Sequence, residues 1–183
     1  MPRSSDSTKR RRRTASEPVS VEVIVEVPAG SRNKYEVDPD TGRVELERVI
    51  FAATRYPADY GFIPNTLGGD GDPLDALVLV DEPTFPGCHI RCHPIALLEM
   101  VDQEGDDEKV LLVPAFDSRT GWKDVGDVPK ATLKEIAHFF QVYKDLDRGK
   151  FSEVKGWRGR AAAVKAIEAA RLRYIRGANV QIE

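Results

Sequence analysis

The stretch Asp-Gly-Asp-Pro-Leu-Asp-Ala-Leu-Val-Leu-Val, residues 70–80, joins a loop with three carboxylates to an apolar run. The run 76–80 is short and continuously apolar, which predicts a buried strand. Gly71 permits a tight turn, while Pro73 fixes its own φ and favours an extended backbone at Asp72. Carboxylates this close together repel one another unless a cation neutralises them, and hard oxygen ligands suit Mg²⁺ or Mn²⁺. The stretch therefore predicts a divalent-cation loop anchored by a strand.

The Asp-x-Asp spacing that begins at Asp70 raises two alternatives. The calcium loop of an EF-hand requires glycine at its sixth position, where this chain has Asp75, and a helix where this chain has an apolar strand. An EF-hand is therefore excluded. A polar turn that holds three acids by chance remains open on the spacing alone.

Apolar patterns on both sides of this stretch predict further strands. Valine recurs at every second position of 21–27, the period of a half-buried strand. The segment 38–42, Asp-Pro-Asp-Thr-Gly, has the composition of a turn and predicts a hairpin between its flanking segments. The predicted strands after residue 27 are 34–37, 43–51, 76–80, 90–101 and 109–114.

Two helices are predicted in the last third of the chain. Thr132 and Glu135 have the spacing of a capping box ahead of an apolar run. One helical face then follows with i, i+3, i+4, i+7 spacing, formed by Ile136, Phe139, Phe140 and Tyr143. A second helix is predicted over 160–174, with its inward face formed by Ala163, Val164, Ile167, Ala170 and Tyr174. Strands followed by helices predict an α+β architecture, a small barrel or curled sheet with helices packed outside.

Composition narrows the class of protein. The 183 residues are 41% hydrophobic, enough for one domain with a core, and no stretch approaches the ~18 apolar residues of a membrane span. Two cysteines do not suggest a disulfide framework, so a reducing, cytoplasmic compartment is expected. Cys88 and Cys92 lie about 13 Å apart along an extended strand, which excludes a shared zinc ion.

Charge divides the chain into a basic tail and an acidic body. Residues 1–20 carry six Lys or Arg and two Asp or Glu, so the net charge of −3 leaves −7 on the rest. The tail is rich in Ser, Arg and Pro and is predicted to be disordered, with one domain over 21–183. The run 9–13 fits a nuclear address, a polyanion tether or a plain solvated tail. The acidic body is a poor surface for nucleic acid, which binds through Lys and Arg.

Further charged residues are candidates for a site. Lys34 and Glu36 are two apart in an extended segment and share a face. In a regular strand, Arg48 shares a face with Val44, Leu46 and Ile50. An arginine there needs an anionic partner or a function, unless it snorkels at the barrel end.

A second group of acids lies at 102–108, between two predicted strands. On its own it fits a solvated hairpin tip with Gly105 at the turn. Lys109 follows it directly. The segment 56–62 contains Pro57 and is predicted to be a loop, which Tyr56 and Tyr60 flank. On their own, these two tyrosines are better explained as packing residues of the core or its loops, and Tyr143 as a core residue.

These segments together resemble the soluble family I inorganic pyrophosphatases, particularly the bacterial ones, from about Val21 to Tyr174. The most specific match is 70–76, Asp-Gly-Asp-Pro-Leu-Asp-Ala. The supporting segments are 34–36, 56–61 and 138–146. The resemblance implies an OB-like five-stranded barrel with helices packed outside, and a homo-oligomer, commonly a hexamer. It also implies hydrolysis of pyrophosphate with several Mg²⁺ ions at each site, for which Mn²⁺ or Zn²⁺ are possible substitutes.

The resemblance assigns a role to each matching position. Asp72 is similar to the general base and Tyr56 to its hydrogen-bonding neighbour. The implied metal ligands are Asp70, Asp75 and Asp107, with Asp102 joining Asp107, Glu36 acting mostly through water and Glu26 lying further out. The implied phosphate contacts are Lys34, Arg48, Tyr60, Lys109, Tyr143 and Lys144. Gln103 departs from the family pattern, since many relatives have an acid after the residue that matches Asp102.

The residue inventory accounts for this chemistry on physical grounds. Attack on a compact, highly charged anion depends mostly on positioning and charge neutralisation, which carboxylate-held metals, Lys and Arg supply. Two rivals are an OB-type nucleic-acid-binding module, which the acidic body opposes, and a calcium-binding structural domain, which gives the lysines and tyrosines no purpose.

Overall fold

The computed structural model describes residues 19–38, 40–116 and 121–180. The predicted tail, residues 1–20, lies outside this part of the chain except for its last two residues. The strands are β1 Val21–Val27, β2 Asn33–Val37, β3 Val44–Val49, β4 Asp59–Phe62, β5 Asp75–Val78, β6 His89–Asp102, β7 Gly105–Asp106, β8 Lys109–Pro114 and β9 Ser152–Gly159. A 3₁₀ turn, Val125–Asp127, precedes helix α1, Lys130–Val142, and helix α2 spans Arg160–Val180.

Five strands form a closed ring in the order β1, β4, β5, β8, β6 and back to β1. All of these pairs are antiparallel except β5 with β8. Strands β7 and β9 add to β6 outside the ring, and β2 and β3 form a separate two-stranded sheet. The ring with its two helices confirms the predicted α+β fold with an OB-like five-stranded barrel.

The two helices pack against alternate side chains of the ring strands. Ile167 of α2 belongs to an apolar cluster with Ala76 and Val110. Phe140 of α1 belongs to a second cluster with Leu77 and Leu111. Neighbouring residues of a strand point to opposite faces, so the two helices belong to different apolar clusters of the barrel.

Strand β4 passes very close to β1. A Cβ atom added at Gly61 would lie 1.9 Å from the carbonyl oxygen of Ile24. Only glycine therefore fits at this point of the ring. The sequence pattern assigned this segment to a loop, which is wrong: three residues after Pro57, Tyr60 already pairs with Val27 and Leu77 of its two neighbouring strands.

Two details of the helix predictions are also wrong. Helix α1 begins after Pro129, and no side chain caps its first turn, so Thr132 lies inside the helix and forms no capping box. Tyr174 is 42% exposed, because α2 continues past its last buried residue, Ala170. The rest of the predicted buried faces is confirmed at Ala163, Ile167 and Ala170 and at Ile136, Phe139, Phe140 and Tyr143, while Val164 is only half-buried. No helix in the described residues is long and apolar enough to cross a membrane.

Candidate active site

A cleft of about 670 Å³ opens where β5 and β8 begin and β6 ends. Its lining includes every predicted site residue, namely Glu26, Lys34, Glu36, Arg48, Tyr56, Tyr60, Asp70, Asp72, Asp75, Asp102, Asp107, Lys109, Tyr143 and Lys144. The ring brings these residues together because its parallel pair starts at one edge, where Asp75 lies directly beside Lys109. Asp102 reaches the same edge at the end of β6.

Lys109 is the buried cation of the cleft, with 2% of its surface exposed. Its Nζ lies 2.5 Å from Asp75 Oδ2 and 2.8 Å from Asp107 Oδ1. It also lies 5.6 Å from the ring centre of Tyr60 and 5.2 Å from that of Phe140. Burial lowers the pKa of the ammonium, but the two carboxylates outweigh burial and raise the pKa above its usual value. Lys109 therefore stays charged inside the protein.

A second buried ion pair joins Lys144 to Asp102. The Lys144 Nζ lies 2.7 Å from Asp102 Oδ2, and Asp102 Oδ1 accepts a hydrogen bond from the backbone N–H of Glu104. Burial raises the pKa of Asp102, but the hydrogen bonds from Lys144 and Glu104 outweigh it and hold the pKa below its usual value. The ammonium also lies 5.2 Å from the ring centre of Tyr143.

The hairpin of β2 and β3 supplies cations to the outer side of the cleft. Lys34 forms ion pairs with Glu36, at 3.4 Å, and with Glu47, which confirms that Lys34 and Glu36 share a face. The Arg48 Nη1 lies 2.7 Å from Asp147 Oδ2, so the predicted need for an anionic partner is met.

The apolar face predicted around Arg48 is buried at Ile50 but exposed along β3. Val44 is 40% exposed and Leu46 is 55% exposed. The reason is topological: the hairpin pairs only with itself and lies outside the closed ring.

The carboxylate loop before β5 is tightly turned. The backbone N–H of Gly68 donates to the carbonyl oxygen of Asp72 at 2.6 Å, and the N–H of Asp72 donates to Asp70 Oδ1 at 3.0 Å. A Cβ atom at Gly68 would lie 2.7 Å from Asp70 Oδ1, so glycine leaves room for that carboxylate. Partial burial, then Asp70 and Asp75, raise the pKa of Asp72.

Glu26 lies at the end of β1, deeper in the cleft. Its Oε1 accepts a hydrogen bond from the N–H of Val37 at 3.1 Å. Burial raises the pKa of Glu26 to about 7, and the nearby charge of Asp75 adds to the increase. The charge of Lys34 opposes the increase but does not outweigh burial.

The donor set fits a hard divalent cation. Within residues 19–38, 40–116 and 121–180, no three acidic, His or Cys side chains converge closely enough to hold an ion as they stand. Lysines lie against several of these carboxylates instead, as at Asp75, Asp107 and Asp102. The oxygen ligands suit Mg²⁺, and the raised pKa values of Glu26 and Asp72 are the effect that a nearby cation would reverse.

Three tyrosines form the inner wall of the cleft. The ring centres of Tyr56 and Tyr60 lie 5.1 Å apart, and Phe139 joins them 4.8 Å from Tyr56 and 5.4 Å from Tyr143. Burial raises the pKa of each of the three phenols, so all three stay protonated. The tyrosines are therefore both core residues and cleft residues.

Several charged residues of the cleft were not predicted. They are Asp38, Arg43, Glu45, Glu47, Glu104 and Lys150 in the lining, and Asp147, which pairs with Arg48. Asp147 and Lys150 lie in the loop after α1, whose sequence Lys-Asp-Leu-Asp-Arg-Gly-Lys at 144–150 is dense in charge. That density, directly after Tyr143, is the signal that could have drawn attention to the loop.

Comparison with known proteins gives a consistent result. A family model described as inorganic pyrophosphatase matches residues 23–175. The chain is 53% identical over 154 residues to an inorganic pyrophosphatase of Streptomyces coelicolor, covering 84% of this chain and 94% of the relative. It is 51% identical over 154 residues to that of Methanosarcina acetivorans, with 84% and 91% covered. The crystal structure of an inorganic pyrophosphatase from Thermus thermophilus is similar, with a TM-score of 0.83, 48% identity, and 88% and 94% covered.

Proposed function

The chain belongs to the inorganic pyrophosphatase family, and from that premise we propose that its cleft hydrolyses inorganic pyrophosphate to two orthophosphates, with water as the attacking group. The observation that carries the proposal is the gathering of carboxylates, cations and tyrosines from seven separate segments around one cleft. This combination suits a small, highly charged anion that arrives together with divalent cations.

The cations and phenols of the cleft bind the phosphates in this proposal. The proposed contacts are Lys34, Arg48, Tyr60, Lys109, Tyr143 and Lys144. Their place in the cleft supports this role, because all four cations line it and each lies within 3.4 Å of a carboxylate oxygen. Charge-assisted hydrogen bonds to phosphate oxygens are about twice as strong as neutral ones.

The carboxylates hold the divalent metal that the family requires. We propose Mg²⁺, several ions to a site, with Mn²⁺ or Zn²⁺ as substitutes. The proposed ligands are Asp70, Asp75 and Asp107, with Asp102 beside Asp107, Glu36 through water and Glu26 further out. When bound, such cations would neutralise pyrophosphate oxygens and lower the pKa of a nearby water molecule.

Asp72 accepts the proton of the attacking water in this scheme. Its raised pKa supports the role, because a base works best when its pKa approaches the working pH. Tyr56 keeps its proton, since burial raises the pKa of the phenol, and so can donate a hydrogen bond in the cleft. No covalent nucleophile is needed.

The alternative of a nucleic-acid-binding barrel is not favoured. The cleft carries a row of carboxylates, including Asp70, Asp72 and Glu104, where a nucleic-acid groove needs Lys and Arg along its length.

We further propose that residues 21–183 form one catalytic domain of a cytoplasmic homohexamer. Exposed Leu172 and Ile175 on α2 are available for contacts between subunits.

The test is phosphate release from pyrophosphate with Mg²⁺, and again after the metal is removed by a chelator. We expect rapid release only with Mg²⁺, and much slower release from ATP. Folded protein that releases no phosphate in millimolar Mg²⁺ would contradict the proposed function.

A further inference from the structure

Two hydrogen bonds tie helix α2 to the start of the carboxylate loop. The Nε of Arg173 donates to the carbonyl oxygen of Leu67 at 2.7 Å. The N–H of Leu67 in turn donates to the carbonyl oxygen of Ala170 at 3.0 Å. Leu67 is therefore held to one turn of the helix through both of its backbone polar groups.

The loop needs such ties because its own sequence gives it little rigidity. Three of its residues, Gly68, Gly69 and Gly71, are glycines, which have the largest backbone freedom to lose. Its base is closed where the hydroxyl of Thr66 accepts the N–H of Leu74 at 2.9 Å. Between that base and the cleft, Leu67 is the point at which the loop is fastened to a helix.

A second cavity of about 150 Å³ lies beside the loop, on the side of α2. Arg173 lines it together with three of the proposed metal ligands, Asp70, Asp75 and Asp107. The charge of Arg173 also acts on Glu108, whose pKa it lowers against the stronger effect of burial. Arg173 thus lies behind the carboxylates rather than among the phosphate contacts.

We propose that Arg173 is a positioning residue that fastens the Gly-rich loop and so presets Asp70 for its metal. The proposal rests on the proposed function only for the identity of the metal. Arg173 is not among the residues that line the substrate cleft. Arg173 holds Leu67 by a hydrogen bond, and Leu67 leads through Gly68 to Asp70. The carboxylate of Asp70 in turn accepts a hydrogen bond from the N–H of Asp72.

Helix α2 can serve as the support because it is firmly packed. Ala163, Ile167 and Ala170 on its inner face are fully buried against the ring. When an outer contact that holds a metal ligand in place is lost, the affinity for the metal commonly falls. The predicted consequence is a looser loop in the whole protein, with the fold intact.

The test compares Arg173→Met with Arg176→Met in the full-length protein. Both changes remove one positive charge from the same end of α2 and keep an aliphatic stem. Arg176 is exposed, and the side-chain hydrogen bond from this end of the helix to Leu67 comes from Arg173. The two measurements are hydrogen exchange of the loop amides without metal and calorimetric titration with Mg²⁺. Thermal unfolding serves to confirm that both variants fold.

We expect Arg173→Met to speed exchange at Leu67 and Gly68 about three- to tenfold, and to weaken Mg²⁺ binding by a similar factor. The direction of the change in Mg²⁺ affinity is informative, because removing a positive charge near carboxylates would by itself strengthen cation binding. Arg176→Met should leave exchange unchanged and Mg²⁺ binding equal or slightly tighter. Unchanged exchange in Arg173→Met, or equal weakening in both variants, would overturn the proposal. A parent protein that binds no Mg²⁺ would count against the proposed function. The hydrogen-exchange data would still show whether Arg173 fastens the loop.

Discussion

The cleft holds its cations in two different ways. On the barrel side, Lys109 is 2% exposed and lies between two carboxylates and two aromatic rings. On the hairpin side, the side chains of Lys34 and Arg48 are 24% and 28% exposed, and their partners lie on the hairpin itself or on the loop after α1. The barrel side belongs to the closed ring, whereas the hairpin is a sheet of its own.

The difference in burial indicates that the barrel side and the hairpin side of the cleft have different roles. A buried ion pair is expensive to break, because the remaining partner is left charged and desolvated. An exposed pair contributes little to folding and exchanges easily for another partner. We therefore expect the barrel side to fix the reacting geometry as part of the fold, and the hairpin side to adjust its cations to the arriving anion.

The largest effect is expected for Lys109→Met. The change leaves Asp75 and Asp107 without their shared cation, which should lower the free energy of unfolding by about 3–5 kcal/mol and remove most of the activity. The matched change on the hairpin side, Lys34→Met, should cost no more than about 1 kcal/mol. Urea unfolding without metal measures both. Equal losses of stability in the two variants would end the distinction between the two sides.

The second effect concerns the carboxylate loop between β4 and β5, on the barrel side. Asp72→Asn should keep most Mg²⁺ affinity but lower kcat by roughly 10²–10⁴ near neutral pH, the usual worth of a general base. Asp75→Asn removes a ligand and should weaken Mg²⁺ binding at every pH. Calorimetric titrations and pH–rate profiles of both variants make the comparison.

The raised pKa of Asp72 predicts the direction in which the pH dependence of activity is shifted. The pKa of Asp72 is raised above its ordinary 3.8, so the parent enzyme should lose activity on the acid side at a higher pH than an unperturbed aspartate would give. Asp72→Asn should lack that acid limb and recover part of its rate at high pH, where hydroxide from solution replaces the missing base. Equal loss of metal binding in the two variants, without recovery, would make Asp72 a ligand.

The same contrast explains how far the sequence could predict the fold. Strands buried in the ring have apolar runs, and β8 was predicted with its observed bounds, Lys109–Pro114. Strand β4 has only four residues and contains Gly61, so its burial depends on the neighbouring strands and not on a visible period. Strand β9 carries Glu153, Lys155 and Gly156 on a partly exposed edge, which gives no clear alternation.

The site was predictable where its residues fall in short motifs and unpredictable where they meet only in space. Asp70, Asp72 and Asp75 lie within one segment of the sequence. Arg48 and Asp147 are 99 residues apart, and nothing in either segment specifies the other. Such a pair depends on how the hairpin is placed against the loop after α1.

The third effect tests the hairpin side, whose cations are expected to adjust to the arriving anion. Arg48→Met should raise KM for pyrophosphate by about 10- to 100-fold, since a charge-assisted hydrogen bond contributes about 1.5–3 kcal/mol, with a small change in stability. Arg43→Met is the control, because Arg43 lies on the same hairpin and lines the same cleft but its side chain is 74% exposed. Steady-state kinetics in saturating Mg²⁺ separates KM from kcat. A loss confined to kcat would mean that Arg48 belongs functionally with Lys109.

The smallest effect is expected at Gln103, on the turn that ends β6. Its neighbour Asp102 is buried against Lys144, and the N–H of Glu104 fixes the other oxygen of Asp102, so the backbone of this turn is held at the cleft. Gln103→Glu places a further carboxylate beside a proposed ligand. The added charge is exposed and screened, so Mg²⁺ binding should tighten by no more than about fivefold. Glu104→Gln removes one charge from the same turn and should weaken Mg²⁺ binding by a comparable factor. If calorimetry finds unchanged or weaker binding in Gln103→Glu, a carboxylate at position 103 does not strengthen the metal site, and the effect of charge on this turn is confined to Asp102 and Glu104.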